Sequence, residues 1–482
     1  MESRDSKYFA KILLNGAFIV SLLEGSAKLV TLLLLPVFSK YLTPEDFGVF
    51  SLVVVIVSVL GLIYNPGTTS GTTRLYHDTT DKNEQKELIG SLFAFYIFIP
   101  FAFSIILIMV GQPLFNIFFK NFSFYPYGLM AILLALLMQA KNVWSVYLLL
   151  KYKIKLLSIY TFLSVIIGLV FAYLLVVVYE MGALGRVLAM FPPAIFLFII
   201  SLFTVYRYTG GKWSIKNMLY QFKFGVPLIG AIWSTSLLLI VDRYMLEVMT
   251  DVATVGIYAF AFQIGQIPQF FVLGIKKLWN PMFYENMNNN NYKIIEKLIF
   301  LFSSLLGLIC ILIILFSNDL FYLLIDERYY DSIPLVNIIV LGIFFSGLLI
   351  IPNSKLGYSK RFGLTSKIAL TAFVINLLLN IILIKHIGAM GAALASVIAY
   401  FTYFLIASII ADKRSQVIST FKQLLLPIFF IILSLTFSFL YETSSFSLIH
   451  LTIKTSIIIV FLFLVFKQSK INYKQLKSFF KK

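Results

Sequence analysis

Glu24 and Lys28 stand four residues apart inside an apolar stretch running from about residue 12 to residue 38. At helical spacing the two side chains share a face, so carboxylate and ammonium pair where neither would tolerate hydrocarbon alone. On a helix that crosses a bilayer Glu24 falls near mid-depth, with Lys28 about 6 Å further along the axis at a rise of about 1.5 Å per residue. Such a pair costs more in dry packing than beside water. It therefore predicts a hydrated, substrate-binding cavity lined by this face; the plainer alternative is a charge pair locking the first helix to a neighbour.

Other polar residues are candidates for the same chemistry. Arg74 follows Asn65-Pro66-Gly67, a break that frees backbone carbonyls and bends a helix. Lys276 and Lys277 take the comparable place in the second half. Two cationic flanks suit an anionic group, Arg as a bidentate fork and Lys as a point charge, with inner-side anchoring as the plainer role. Gln263 and Gln266, about one helical turn apart, fit hydrogen bonding to a polar substrate or helix–helix glue. Asp242 and Arg243, near the end of a later apolar stretch, form a candidate gate latch or are simply interfacial charges.

The elements that position these residues follow from composition. The 482 residues are 60% hydrophobic and 12% charged, with a mean hydropathy of +0.93, far outside soluble usage. The chain reads as an all-α integral membrane protein. About fourteen spans are expected, near 12–36, 47–66, 88–111, 126–150, 156–178, 183–206, 222–246, 254–275, 298–317, 333–352, 364–384, 389–411, 423–440 and 447–466.

The net charge of +18 raises nucleic acid as a partner, but the placement of the charges explains it better. With the N-terminus inside, all but eight of the 39 Lys and Arg fall on the inner side. The exceptions are Lys28 and seven outer-side residues: Lys40, Lys120, Arg186, Arg243, Arg328, Lys385 and Lys454. This bias puts both termini in the cytoplasm and lets the basic tail meet anionic lipid. The single cysteine, Cys310, excludes an internal disulfide. The sequence carries no phosphate-cradling Gly-x-x-x-x-Gly-Lys-Ser/Thr loop, and His77, His386 and His450 are scattered. Neither an enzyme nor a bound cofactor is expected.

The chain repeats itself. Gly48 and Phe50 are answered by Gly256 and Tyr258, and Gly182-Ala-Leu-Gly185 by Gly388-Ala-Met-Gly391, at offsets of 208 and 206. The basic pair Lys151 and Lys153 is echoed by Lys360 and Arg361. Each echo alone is explained by small residues that let helices pack closely. A shared offset with six spans between copies instead predicts two six-helix bundles in parallel orientation. The expected division is an N-lobe over 1–210, a C-lobe over 211–412, and two further helices with a basic tail over 413–482.

Phe47-Gly48-Val-Phe-Ser, Arg74-Leu-Tyr, Asp242-Arg243-Tyr, Val255-Gly256-Ile-Tyr258, Pro281 and the two Gly-Ala-x-Gly turns carry a resemblance. Over roughly residues 8 to 411 the chain resembles exporters of the multidrug/oligosaccharidyl-lipid/polysaccharide superfamily, particularly the Wzx-type O-antigen flippases. The resemblance implies two lobes forming a V-shaped central cavity in a bacterial cytoplasmic (inner) membrane. It implies a substrate, a polyprenyl-diphosphate-linked oligosaccharide such as an O-antigen or capsule repeat unit, carried between leaflets by alternating access. Arg74, Asp242 and Arg243 match the family's recurring charged positions. Polysaccharide polymerase machinery is the implied partner beside membrane lipid. A proton or sodium gradient is the candidate energy source, with Glu24 as a candidate ion binder. Two alternatives stay open. A cation-coupled multidrug antiporter of the same superfamily would need an acid-dominated aromatic cavity, and a membrane glycan polymerase or ligase would need a sizeable outer loop with acid or histidine chemistry.

Overall fold

The computed structural model describes residues 30–226, 229–413, 420–441 and 448–469, so Glu24 and Lys28 lie outside the described residues. Among the described residues all regular structure is helical. Nine of these helices are long and apolar enough to cross a membrane, or ten if Val252–Gly265 and Ile267–Lys276, bent by 45°, count as one span. Shorter apolar helices, Val30–Tyr41 and Leu425–Leu440, fall on the expected first and thirteenth spans. The chain is a multi-pass, all-helical membrane protein, consistent with the expected fourteen spans. It divides into two compact units, Met1–Ala259 and Phe260–Lys482.

In the first unit the helices are α1 (Leu35–Tyr41), α2 (Pro44–Tyr64), α3 (Thr68–Asp78), α4 (Lys82–Met109), α5 (Gly111–Phe118), α6 (Leu129–Leu150) and α7 (Ile154–Tyr173). They continue as α8 (Gly182–Leu188), α9 (Phe191–Thr209), α10 (Ile215–Gly225), α11 (Ile229–Leu237), α12 (Val241–Met249) and the start of α13 (Val252–Gly265). The start of α2 is fixed by a capping box. Thr43 Oγ1 accepts from the Asp46 amide at 3.1 Å, and Asp46 Oδ2 accepts from the Thr43 amide at 2.9 Å. The other Asp46 oxygen accepts from the Ala183 amide at 2.9 Å, tying α2 to the first Gly-Ala-x-Gly corner.

The repeated glycines meet. A Cβ on Gly48 would lie 1.9 Å from the Val252 carbonyl oxygen, and one on Gly256 would lie 1.7 Å from that of Pro44. Pro44 and Val252 stand at the same offset as Gly48 and Gly256, so α2 and α13 cross backbone to backbone in a reciprocal contact that no side chain larger than hydrogen fits.

The two Gly-Ala-x-Gly motifs are corners of the same kind. Gly182 and Gly388 adopt φ of +52° and +53°, the left-handed region that glycine enters without a Cβ penalty. The fourth-position glycines then press on the incoming helix, with a Cβ on Gly185 falling 2.8 Å from Leu175 O and one on Gly391 2.4 Å from Leu383 O.

Two expected spans change shape. After α2 ends at Tyr64, Gly67 at φ +79° starts α3 and abuts the backbone of Gly225 on α10, as the Asn65-Pro66-Gly67 break implies. The stretch 222–246 is not one helix: α11 and α12 are separated by a turn at 238–240. Short i to i+3 bonds from Leu239 and Ile240 close the end of α11, where Ser234 and Thr235 also turn their hydroxyls onto Gly230 O and Ile232 O, at 2.5 and 3.1 Å.

The second unit contains α14 (Ile267–Asn288), α15 (Tyr292–Leu324), α16 (Ser332–Leu348), α17 (Ile350–Tyr358), α18 (Phe362–Asp412, folded back at Ile387 and Gly388), α19 (Leu425–Leu440) and α20 (Leu448–Ser469). Polar ties fasten its helices to one another. Asn337 on α16 accepts from Ser317 on α15 at 3.0 Å and donates to Ser438 on α19 at 2.9 Å. Lys454 on α20 pairs with Asp319 on α15 at 2.5 Å, and Lys355 on α17 with Asp412 at the end of α18 at 2.5 Å.

Gly256→Val is expected to force α2 and α13 apart and lower the melting midpoint of the purified protein in detergent, as overpacking costs about 1–3 kcal/mol. An unchanged midpoint would show that the crossing contributes nothing to stability.

Candidate functional site

The sequence-predicted residues fall into separate clusters. Arg74 is exposed on α3, its guanidinium carbon 5.4 Å from the ring centroid of Phe224 on α10. Tyr76, two residues on, is buried and faces Lys151, whose ammonium lies 5.4 Å from its ring and 4.6 Å from that of Tyr208. Burial pulls the Lys151 amine down, but hydrogen bonds with Tyr208 and Tyr76 more than offset it and leave its pKa raised. Lys151 is therefore cationic throughout the physiological range. Arg74-Leu-Tyr and the first basic loop thus meet at one end of the first unit.

Asp242 is buried on α12 and accepts a hydrogen bond from the Tyr258 hydroxyl on α13 at 2.7 Å. The Asp-Arg-Tyr and Val-Gly-Ile-Tyr motifs, apart in sequence, are therefore joined. Arg243 donates from Nη1 to the Leu239 carbonyl at 3.1 Å, across the turn that opens α12. Glu247, one turn on and fully buried, accepts from the backbone amides of Lys120 and Asn121 at 2.9 and 2.5 Å. Three charged residues of α12 thus each secure a different neighbour.

In the second unit, Gln263 lies near the end of α13 and Gln266 precedes Pro268 at the first turn of α14, so both half-buried amides flank the 45° bend. Gln269, in the first turn of α14, has a buried Oε1 without a hydrogen-bond partner. Lys276 is exposed on α14; Lys277 is helical, and its side chain lies outside the described residues.

The structure also assembles a site that the sequence reading did not single out. Lys141 on α6 and Arg186 on α8 line one cavity of about 260 Å³, together with Phe50, Ser164, Leu169 and Pro193. Arg186 lies over the rings of Phe38 and Phe50, at 5.0 and 4.3 Å, and its Nε is buried without a partner. By the charge bias Lys141 falls on the inner side and Arg186 on the outer, so loop charges do not reveal that the two share a cavity. The usable signal is a cation inside an uncharged run: Lys141 stands between Leu129–Ala140 and Asn142–Leu150, neither of which carries a charge. Further along α2, Val55, Ile56 and Leu60 help line an apolar cavity of about 480 Å³ with Phe103, Phe115 and Tyr244.

Tyr258→Phe removes the donor to a buried carboxylate, worth about 1.5–3 kcal/mol for a bond to a charged group. The expected readout is a lower melting midpoint in detergent, and an unchanged midpoint would remove this bond from the framework.

Comparison with known proteins places the fold. The chain is similar to the lipid II flippase MurJ in an inward closed conformation, with a TM-score of 0.73 at 16% identity over 95% of this chain and 99% of that one. It is also similar to an inward-facing multidrug resistance MATE family transporter of the MOP superfamily, with a TM-score of 0.66 at 14% identity over 84% of this chain and 98% of that one. A Vibrio cholerae MATE transporter matches with a TM-score of 0.53 at 15% identity over 84% of this chain and 97% of that one. No curated protein sequence matches significantly. The family profile described as polysaccharide biosynthesis protein matches residues 13–287, more than half of the chain, and the protein belongs to that family.

Proposed function

We propose that the protein is a flippase that moves a polyprenyl-diphosphate-linked oligosaccharide, an O-antigen or capsule repeat unit, from the cytoplasmic to the outer leaflet of a bacterial cytoplasmic membrane. The observation that carries this reading is the polysaccharide-family match over residues 13–287. The fold agrees with it, since the likeness to the lipid flippase extends over 95% of the chain with a TM-score of 0.73.

Physical chemistry gives the outline of the mechanism. Exposing diphosphate and sugar hydroxyls to hydrocarbon costs several kcal/mol per unsatisfied group, so the headgroup needs a polar path while the lipid tail stays in the bilayer. Glu24, Lys28, Arg74, Lys276, Lys277, Gln263 and Gln266 are the proposed substrate-facing groups. In an alternating-access cycle Asp242 and Arg243 steady α12 as the gate. An inside-negative potential helps expel an anionic headgroup by about 2.3 kcal/mol per elementary charge per 100 mV. Both termini lie in the cytoplasm, and a proton or sodium gradient supplies any further coupling. The protein acts as a transporter, with polymerase machinery consuming its product.

Deleting the protein is expected to trap lipid-linked repeat units on the cytoplasmic leaflet and to abolish surface polymer. Normal surface polymer with lost drug efflux would instead establish the antiporter. Lys28→Glu should abolish export while leaving the protein in the membrane, and full export by this variant would remove Lys28 from the path. Arg74→Lys should slow export if the bidentate fork matters, and an equal rate would leave Arg74 as an anchor alone.

A further inference from the structure

Lys141 and Arg186 line one cavity in the first unit, and no carboxylate is among its described lining residues. Two cations at membrane depth are costly, and such groups persist where something compensates them. The fold does not require either. The repeat places buried Ala392 where Arg186 stands in the first Gly-Ala-x-Gly corner, and the corner forms at the same φ without an arginine. At the repeat offsets the counterpart of Lys141 falls among Gly347, Leu348 and Leu349, all apolar.

The lining offers two cations to an oxyanion. The rings of Phe38 and Phe50 hold the guanidinium without accepting its N–H bonds in the plane, and Nε is buried and unpartnered. Apolar walls from Leu169 and Pro193 strengthen any charge–charge attraction inside. The cavity's 260 Å³ gives room for a phosphate or diphosphate.

We propose that the Lys141–Arg186 cavity is a phosphate-binding site, with Arg186 as the hydrogen-bonding fork and Lys141 as the second charge. The phosphate comes either from a free inorganic anion or from the headgroup of a polyprenyl-linked lipid; only the second source rests on the flippase reading above.

The test is equilibrium binding to the purified full-length protein in lipid nanodiscs, using inorganic pyrophosphate and, separately, a polyprenyl diphosphate in the nanodisc bilayer. Arg186→Gln and Lys141→Met are each expected to weaken binding about tenfold to a hundredfold, from about 1.5–3 kcal/mol per charge-assisted bond at about 1.4 kcal/mol per tenfold. Arg186→Lys keeps the charge and loses the fork, so a several-fold loss in this variant separates a damaged site from a damaged fold. Sensitivity to the variants with pyrophosphate assigns the free anion, and sensitivity with the lipid alone assigns the headgroup; both support the site. If the pyrophosphate result holds and the lipid result fails, the site stands and the carried-lipid reading loses its support. Absence of binding of both probes to the unmodified protein, or unchanged affinities in folded Arg186→Gln and Lys141→Met, overturns the proposal.

Discussion

The close crossing of α2 and α13 is the constraint on which the first unit depends. Two carbonyl oxygens occupy the space where Cβ atoms would be at Gly48 and Gly256. Neighbouring polar groups then fix each helix around that point. Asp46 caps α2 and reaches the Gly182 corner, while Asp242 receives Tyr258 from α13. The Tyr258–Asp242 bond is buried, and a buried polar group without a partner is expensive, so this bond holds its geometry firmly.

The second unit solves the same problem with charges. Lys355 and Asp412 pair between α17 and the end of α18, and Lys454 and Asp319 between α20 and α15. Each removes two unpaired charges at once, and removing one partner would strand the other. The Ser317–Asn337–Ser438 chain adds an uncharged tie among α15, α16 and α19. The bonds of Ser438 and Lys454 make the last two helices part of the second unit's packing.

Much of this was legible in the residues. Hydropathy located the helices because hydrocarbon demands long apolar runs, and the repeat offsets marked the glycines because tight backbone contact excludes every larger residue. The break at Asn65-Pro66-Gly67 was readable from its turn chemistry. The division of 222–246 into two helices was not, because Ser234 and Thr235 bond equally well within a helix and at its end. The Lys141–Arg186 cavity was also hidden, since a cation's membrane depth and its neighbours depend on tertiary packing that a count of charges per loop does not contain. Asp242 was visible as a charge, but its partner Tyr258 emerges only when α12 and α13 fold together.

The glycine crossing also has a consequence for ancestry. Because Pro44 and Gly48 meet Val252 and Gly256, their own equivalents one repeat later, the contact is isologous, the form a two-fold axis gives to a homodimer. In a half-length chain one glycine would serve both faces of that interface. Two separate copies would meet through it as a symmetric pair, and joining their genes would preserve the interface without a new residue.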